Sequence, residues 1–282
     1  MTGNLRFRRV RLGSSDAFTP SPARAVRVRS RSMSADTHLE PHHHPWAQLA
    51  YCASGSVQVT VSGGDSNDHH GASQVTAQTS YIIPPSRAVW IAPGATHSIN
   101  VLEAAELRTL YLCNSITPHD WQGCRVIVVS ALLAELVAAL DSLTALDSAE
   151  REQCLSRLIQ DEITRAPTQA LGVPLPHAER GDKRLRALCD AVLNAPAARA
   201  TLAEWASDIG ASERTVARLF RDELGMSYQQ WRQQAVLAHA LPLLARGVPV
   251  SRVAAASGYA SDSAFSAMFK AAMGQPPSQF QS

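Results

Sequence analysis

The fold is decided by the stretch Ala206-Ser-Asp-Ile-Gly-Ala-Ser-Glu-Arg-Thr-Val-Ala-Arg-Leu-Phe-Arg-Asp-Glu-Leu-Gly225, because it returns near the end of the chain. The second copy is Ala254-Ala-Ala-Ser-Gly-Tyr-Ala-Ser-Asp-Ser-Ala-Phe-Ser-Ala-Met-Phe-Lys-Ala-Ala-Met-Gly274, one residue longer in its turn and at an offset of 48 to 49 residues. The two copies share their first alanine, a turn glycine, a phenylalanine and the closing glycine. A repeat at fixed spacing indicates one structural unit used twice.

Each copy has the parts of a helix-turn-helix unit. In the first, Thr201 and Glu204 form a T-x-x-E capping box, and the helix that they begin ends at Gly210. Ser212 then caps a second helix. Helical spacing turns the large apolar residues inward: Val216, Leu219, Phe220 and Leu224 in the first copy, and Phe265, Met268, Phe269 and Met273 in the second. The last helix of each unit therefore has an outer face that the core does not use.

The outer faces of these two helices are the candidate DNA-contacting surfaces. They consist of Arg214, Ala217, Arg218 and Arg221 in the first unit, and of Ser263, Ser266, Ala267 and Lys270 in the second. A cationic row at helical spacing can enter the major groove, where arginine contacts guanine edges and phosphates. The second face is much less basic. We predict that double-stranded DNA is a partner of this domain.

A single helix, over roughly residues 228–245, joins the two units and would be about 27 Å long at about 1.5 Å per residue. One turn of DNA is about 34 Å, so a rod of this length can set both outer faces into successive grooves. Pro242 lies inside the predicted rod, where its missing N–H removes a helical hydrogen bond. We therefore expect a kink or a shifted helix end near Pro242.

The repeat and its closing pattern resemble the AraC/XylS-type transcription regulators. The resemblance covers about residues 183–281 and is carried by Gly258-Tyr-Ala-Ser-Asp-Ser-Ala-Phe-Ser-Ala-Met-Phe-Lys270, with Gly274, Pro277 and Phe280 following. It implies base contacts from Arg214, Ala217, Arg218, Ser263, Ser266 and Ala267. The chain departs from that family at Ala267, which is often arginine, and at Tyr228, where proline is common.

The first half of the chain is mostly β. Residues 24–112 contain runs that alternate with a period of two, such as Ala25-Val-Arg-Val-Arg29 and Val57-Gln-Val-Thr-Val61, with a polar loop over residues 63–71. From Ala131 the period becomes helical, and two amphipathic helices follow. Their apolar stripes need a cover, either the β half or a second copy of the chain, so we expect a homodimer.

The β half also carries histidines with metal-ligand spacing. The segment His42-His-His-Pro-Trp-Ala-Gln48, with Gly55, has the form H-x-H-x3-Q-x6-G, and Gly94-x-x-His97 comes later. On a strand His42 and His44 point to the same side, and His97 from a neighbouring strand would complete a face of three nitrogens. Gln48 would add a weak oxygen ligand.

These two motifs resemble those of cupin proteins, with Gln48 in place of the usual glutamate. Together with the two trailing helices, they extend the resemblance to the cupin-bearing branch of AraC-type regulators, which includes regulators of neighbouring efflux transporters and at least one metal-responsive type. The resemblance implies a small β-barrel that binds an effector.

Three interpretations of the histidines stay open. One divalent metal (Ni, Zn or Fe) would bind His42, His44, Gln48 and His97. A metal-free pocket for a small molecule is the second interpretation, and structural histidines are the third. The aromatic residues Trp46, Tyr81 and Trp90 are candidates for the wall of an effector pocket.

These patterns predict an α+β fold: a cupin-like β-barrel, two helices, then an all-α domain with two helix-turn-helix units. The expected divisions are a disordered arm (1–20), a cupin-like effector-binding domain (21–125), a helical dimerisation segment (126–166), a linker (167–177) and the double helix-turn-helix DNA-binding domain (178–282).

Composition excludes several classes of protein but does not identify the partner. With 282 residues the chain is long enough for two domains. Its 26 Lys and Arg against 24 Asp and Glu give a net charge of +2, too near neutral to indicate a polyanion partner. The five cysteines have no CxxC spacing, which argues against a zinc finger or a disulfide framework. No apolar run approaches the roughly 20 residues of a membrane span, so we expect a cytoplasmic protein without a membrane partner.

The leading hypothesis is a sequence-specific transcription regulator whose barrel senses a small molecule or divalent metal and controls nearby genes, an efflux transporter being one candidate. The alternative is a metal-dependent cupin enzyme, a dioxygenase or isomerase, that carries a DNA-binding domain. Gln48 removes the carboxylate that such an oxygenase normally uses, so we expect no enzyme activity and assign no catalytic residue. Activator and repressor both remain open, and an activator would also contact RNA polymerase.

Overall fold

The computed structural model describes residues 8–10, 16–62, 78–85, 87–118, 121, 123–144, 146–169, 171–177, 180–199 and 201–281. The chain forms two compact units. The first comprises Met1–His69 and Ile83–Ala170, and the second comprises His70–Ile82 and Leu171–Ser282. The expected polar loop over 63–71 lies outside the described residues, as do residues 1–7 and 11–15 of the expected arm.

The strands lie mainly in the first unit. They are β1 (Arg8–Val10), β2 (Val26–Met33), β3 (Thr37–His42), β4 (Ala47–Ser54), β5 (Val57–Ser62), β6 (Gln78–Ile83), β7 (Arg87–Ile91), β8 (Thr96–Val101), β9 (Ala105–Leu112), β10 (Cys124–Val128), β11 (Thr168–Gln169) and β12 (Gly172–Leu175). One sheet of the first unit has the order β1-β3-β8-β5, and the other has the order β11-β10-β7-β4-β9-β2. We call these two sheets the barrel.

The helices follow the barrel. They are α1 (Ala131–Asp141), α2 (Ala149–Arg165), α3 (Lys183–Asn194), α4 (Leu202–Asp208), α5 (Glu213–Leu224), α6 (Tyr228–Ala245), α7 (Val250–Ala256) and α8 (Asp262–Met273). Short 3-10 turns occupy Asp16–Phe18, Asn114–Ile116 and Pro277–Phe280. The predicted α+β class, with two sheets first and helices last, is confirmed.

The core of the first unit lies between the second sheet and α1 and α2. Trp90 is fully buried there with its ring 5.1 Å from that of Trp121, and Leu133, Val137 and Ile159 come from the two helices. The helix stripes are not covered completely, because Leu132 and Leu158 stay about half exposed. The expected amphipathic helices therefore use one part of their apolar surface on the barrel and keep another part at the surface.

The second unit is built around α3, α5 and α6. Phe220, Trp231 and Leu188 are fully buried in its core. The strands β6 and β12 also belong to this unit and pair antiparallel, with Gly172 opposite Tyr81. A Cβ at Gly172 would lie 2.6 Å from the ring of Tyr81, so a side chain does not fit at this position.

Two expected flexible segments contain strands. Residues 8–10 of the expected arm form β1, which pairs parallel with β3. The expected linker contains β11 and β12, because hydrogen bonds from side chains distant in sequence hold both segments in place. The guanidinium of Arg87 donates to the side-chain oxygen of Gln169 at 2.6 Å, and the indole N–H of Trp231 donates to the carbonyl of Pro174 at 2.7 Å.

Candidate functional site

The helix α5 is held in place by local signals at both of its ends. The hydroxyl of Ser212 accepts a hydrogen bond from the backbone N–H of Thr215, and Gly225 ends the helix with a positive φ of 68°. Its inner face buries Val216, Phe220 and Leu224. The preceding helix α4 begins with the predicted capping box, since Thr201 and Glu204 bond to each other's backbone N–H groups.

The outer face of α5 carries the predicted cationic row. Arg214, Arg218 and Arg221 are exposed, and Ala217 is partly exposed between them. Within the described part of the chain, none of the three arginines forms an ion pair. Their charges are therefore available to an external anion.

The helix α8 repeats this construction with a different outer face. Ser261 caps it through the backbone N–H of Ala264, and Gly274 ends it at a φ of 77°. Phe265, Phe269 and Met273 are buried. The predicted outer residues Ser263, Ala267 and Lys270 are exposed and Ser266 is partly exposed. Lys270 is the single cation among these four residues.

The helix α6 joins the two helix-turn-helix units. It runs over Tyr228–Ala245, the predicted bounds, and begins with a second capping box between Ser227 and Gln230. Pro242 lies within its last turn, so the missing N–H falls next to the helix end at Ala245. The helix is buried along most of its length, which makes it a shared support for both units.

A second constellation lies inside the barrel, where the three predicted histidines meet. One nitrogen each of His42, His44 and His97 lies within 4.8 Å of the other two. His42 is opposite His97 in the pairing of β3 with β8, after a β-bulge that follows Leu39. The ring centroids of His42 and His97 are 4.2 Å apart. The backbone N–H of Gly94 donates to the carbonyl of His44 at 2.9 Å and so ties the two histidine motifs together.

All three imidazoles are oriented in the same way. Their Nδ1 atoms lie against backbone carbonyls: His42 against Glu40 at 2.9 Å, His44 against Trp46 at 2.7 Å, and His97 against Ala95 at 2.9 Å. A carbonyl only accepts, so Nδ1 of His42 and of His97 donates and their Nε2 atoms are left for other contacts. In His44 Nε2 also faces an oxygen, that of the Gln48 side chain. This arrangement is the one that fixes the tautomer of metal-binding histidines.

Burial keeps two of these imidazoles neutral at ordinary pH. Burial, and next the charge of His42, lowers the pKa of His97 to about 3. Burial also lowers the pKa of His42, against its hydrogen bond to the carbonyl of Glu40. The Nε2 of His97 is buried and has no hydrogen-bond partner among the described residues. A neutral, unpaired imidazole nitrogen in a buried cluster is a suitable metal ligand.

Gln48 occupies the position beside His44. Its side-chain oxygen lies 2.8 Å from Nε2 of His44, and the residue is 2 % exposed. This contact uses the same nitrogen that a metal would need. A metal at His44 therefore requires Gln48 to turn away or to join the coordination sphere.

The three aromatic residues expected in the pocket wall lie in different places. Trp46 stacks on His44, with ring centroids 5.4 Å apart and an angle of 6° between the planes. Trp90 packs in the core between sheet and helices instead, because its position on β7 faces α1 and α2. Tyr81 lies on β6 in the second unit, against Gly172. Of the three, only Trp46 lies at the histidines.

Known families match both halves of the chain. The description "AraC-like ligand binding domain" matches residues 25–163, and "Helix-turn-helix domain" matches residues 205–282. The HTH-type transcriptional regulator NimR of Escherichia coli is 33% identical over 252 residues, covering 86% of this chain and 90% of that protein. The chain belongs to the AraC family of transcription regulators. It is a DNA-binding regulator with an N-terminal ligand-binding domain.

Two further proteins are similar to this AraC-family regulator over a shorter segment or at a lower sequence identity. The HTH-type transcriptional regulator RipA of Corynebacterium glutamicum is 32% identical over 126 residues, which is 45% of this chain and 35% of that protein. The crystal structure of ToxT from Vibrio cholerae has 14% sequence identity and a TM-score of 0.36, and it covers 91% of this chain and 96% of that one. Among the described helices of the regulator, none is long and apolar enough to cross a membrane.

Sequence reasoning missed one group of residues near the histidines. Arg29, Arg31 and Tyr111 lie on the same face of the barrel as Gln48, since Tyr111 is paired with Gln48 on one side and with Arg27 on the other. The ring of Tyr111 is 5.6 Å from that of His44. The alternation of β2 contained the signal, but alternation alone does not say which face of a strand points inward.

Proposed function

We propose that the AraC-family regulator controls transcription in response to an effector in its barrel, and that a divalent metal (nickel, zinc or iron) at His42, His44 and His97 is that effector or part of its site. One observation carries the proposal. The Nδ1 atoms of all three histidines face backbone carbonyls, so that Nε2 of His42 and of His97 remain for a shared ligand, and Nε2 of His44 would join them once Gln48 turns away.

The residues fit a metal of this class. Zinc–nitrogen bonds of about 2.0–2.1 Å place two ligands of a tetrahedral site about 3.4 Å apart. The nitrogens of the three histidines lie within 4.8 Å of one another, so shifts of about 1 Å would bring them to bonding distance. Gln48 would supply a fourth, weaker ligand by its side-chain oxygen. A metal would contribute a fixed positive charge and rigid bonds between β3, β4 and β8.

The DNA contacts are proposed for the outer faces of α5 and α8. Arg214, Ala217, Arg218 and Arg221 would enter one major groove, and Ser263, Ser266, Ala267 and Lys270 the next. Exposure of these side chains, and the absence of ion pairs to the three arginines among described residues, support this assignment.

The segment 126–166 is proposed as the dimer contact. Leu132 and Leu158 are 54% and 50% exposed on α1 and α2, and a second copy would cover them. Two copies would bind two half-sites of one operator. The proposed targets are neighbouring genes, an efflux transporter among them, and the proposed location of the regulator is the cytoplasm. An activating form would also contact RNA polymerase. A sensor without catalysis is favoured over a cupin enzyme because Gln48 stands where the enzyme carboxylate would be.

Metal analysis tests the effector site. We expect untagged protein to bind nickel, zinc or iron(II) in calorimetry at one ion per chain. His97→Ala and His44→Ala should weaken binding by about 100-fold or more, since even outer-shell changes cost 10–100-fold. His43→Ala is the matched control because His43 is exposed and adjacent. Operator affinity, measured by fluorescence anisotropy with and without EDTA, reports the response. Unchanged metal content in both variants would remove the proposed site.

Sedimentation tests the dimer contact. Leu158→Glu places a charge on the exposed part of α2, and we expect it to convert a dimer into a monomer. Leu146→Glu is the control, because Leu146 is 97% exposed outside both helices. A dimer that survives Leu158→Glu would contradict this assignment.

A further inference from the structure

The strand β2 turns its arginines inward and its serines outward. Val26 is buried in the core that faces the helices, and the hydroxyl of Ser30 donates to Asp141 of α1 at 2.6 Å. Even-numbered residues of β2 therefore face the helices. Because side chains of a strand alternate, Arg29 and Arg31 face the interior of the barrel. Both are only partly exposed, while Ser30 and Ser32 are exposed.

The two guanidinium groups lie at the edge of the histidine cluster. Arg29 and Arg31 lie on the same face of β2 as Arg27, the residue paired with Tyr111. Burial raises the pKa of Tyr111, and the charges of Arg29 and Arg31 and a side-chain hydrogen bond from Arg29 oppose that effect. Tyr111 in turn contacts His44 edge to face. The charge of Arg31 also acts on His42. Arg29, Arg31, Tyr111 and the histidines thus share one interior region.

These two cations have no anionic partner among the described side chains. The described ion pairs include Arg24 and Arg27, both bound to Glu152, but neither Arg29 nor Arg31. The Nη1 of Arg29 is buried without a hydrogen-bond partner in the described residues, and its guanidinium lies 5.0 Å from the ring centre of Phe18. Burial, and next the charge of Arg29, lowers the pKa of Arg31.

Two partly buried like charges destabilise each other and lose hydration, and a bound anion removes both costs. The guanidinium fork matches a carboxylate with two parallel hydrogen bonds, and the Tyr111 hydroxyl is a third donor. Aromatic rings flank the region, since Phe18 covers Arg29 and the ring of Trp46 is 6.1 Å from that of Tyr111. Such rings suit the organic part of a ligand better than an inorganic anion.

We infer that the barrel binds a small organic carboxylate, with Arg29 and Arg31 holding its carboxylate group beside the histidine cluster. The inference rests on the proposed function in that it names the chemical class of the effector. Its binding site consists of residues of this chain alone and does not require the metal.

Calorimetry on full-length, EDTA-treated protein tests the inference, with acetate, benzoate and citrate as probes. Benzamide is the neutral analogue of benzoate, and inorganic phosphate is the competing anion. We expect at least one carboxylate to bind and benzamide not to bind. Arg29→Gln and Arg31→Gln should each weaken the carboxylate by about tenfold or more, the effect of a lost charge-assisted hydrogen bond. Arg165→Gln is the matched control, because Arg165 is 76% exposed on α2.

Four outcomes of the calorimetry would contradict carboxylate binding by Arg29 and Arg31. Equal binding of benzoate and benzamide, phosphate binding without carboxylate binding, no binding of any probe, or unchanged affinity in both arginine variants would overturn the inference. The benzoate and benzamide pair needs only the wild-type chain, so a variant that fails to fold does not block the test. Operator affinity without any probe is measured in parallel. If the wild-type chain does not bind the operator, the proposed function is wrong. If it binds the operator but binds no carboxylate, only the inference about the carboxylate is wrong.

Discussion

The helices α5 and α8 share a scaffold and differ in their chemistry. Both are 12 residues long, begin at a serine cap, end at a glycine with positive φ and bury the equivalent phenylalanine, Phe220 or Phe269, completely. Their outer faces differ, with three exposed arginines on α5 against Lys270 with small neutral residues on α8. The comparison teaches that the residues that build the unit and the residues offered to DNA are separate sets.

Because of this difference, we expect the two helix-turn-helix units to make different kinds of contact with DNA. Arginine makes bidentate contacts to guanine, and each such contact discriminates by about 1–3 kcal/mol. Serine and alanine contribute less, and a single lysine acts on phosphates as a point charge. We therefore expect α5 to supply most of the base readout and α8 to supply mainly position on the duplex.

The largest expected effect is a loss of stability, and it should be the same in both helix-turn-helix units. Phe220→Ala and Phe269→Ala each remove a fully buried ring, and we expect each to lower the free energy of unfolding by about 3–5 kcal/mol. Chemical denaturation followed by circular dichroism measures both. A loss below about 1 kcal/mol in one variant, against several in the other, would show that the two cores are not equivalent.

An intermediate effect should separate the two outer faces. Arg218→Ala should weaken operator binding by about 1–3 kcal/mol and relax the preference at one base position. The position on α8 that corresponds to Arg218 is already alanine, Ala267. Ser266→Ala, the change next to it on the same outer face, should cost less than about 1 kcal/mol. Fluorescence anisotropy with a set of operators that each differ at one base pair measures both quantities. Equal losses in the two variants would contradict the unequal division of base readout.

The smallest effect concerns the one cation of α8. Lys270→Gln should reduce the slope of log affinity against log salt concentration by about 0.9, the value for one lost phosphate contact, and leave the base preference unchanged. Lys183→Gln, an exposed lysine at the start of α3, is the control and should leave the slope as it is. If Lys270→Gln changed the base preference instead, α8 would be a reader rather than an anchor.

The helices of the second compact unit, which contains both helix-turn-helix units, were predictable because the residues at which they begin and end make local contacts. Ser212, Gly225, Ser261 and Gly274 stop or start helices through contacts within one turn, and the expected bounds of α6 agree with the structure. The meeting of the three histidines was also predictable from their two motifs, although His44 lies in the connection after β3 and not on the strand that the spacing predicts.

The rest depended on contacts that are distant in sequence. The strands β11 and β12 look like a linker in sequence, and their anchors Arg87 and Trp231 are 82 and 57 residues away. Trp90 was expected in the pocket, but its face of β7 is decided by where α1 and α2 pack. The inward orientation of Arg29 and Arg31 likewise follows from the helices that cover the opposite face of β2, and not from the alternation itself.

The free outer face of α5 has an evolutionary consequence. Its exposed arginines have no ion-pair partner among the described residues, so they add little to the stability of the unit. Surface substitutions of this kind usually change folding free energy by no more than about 0.5 kcal/mol. A lineage can therefore acquire a new set of target genes through a few outward-facing replacements, each folding as well as its ancestor, without passing through an unstable intermediate.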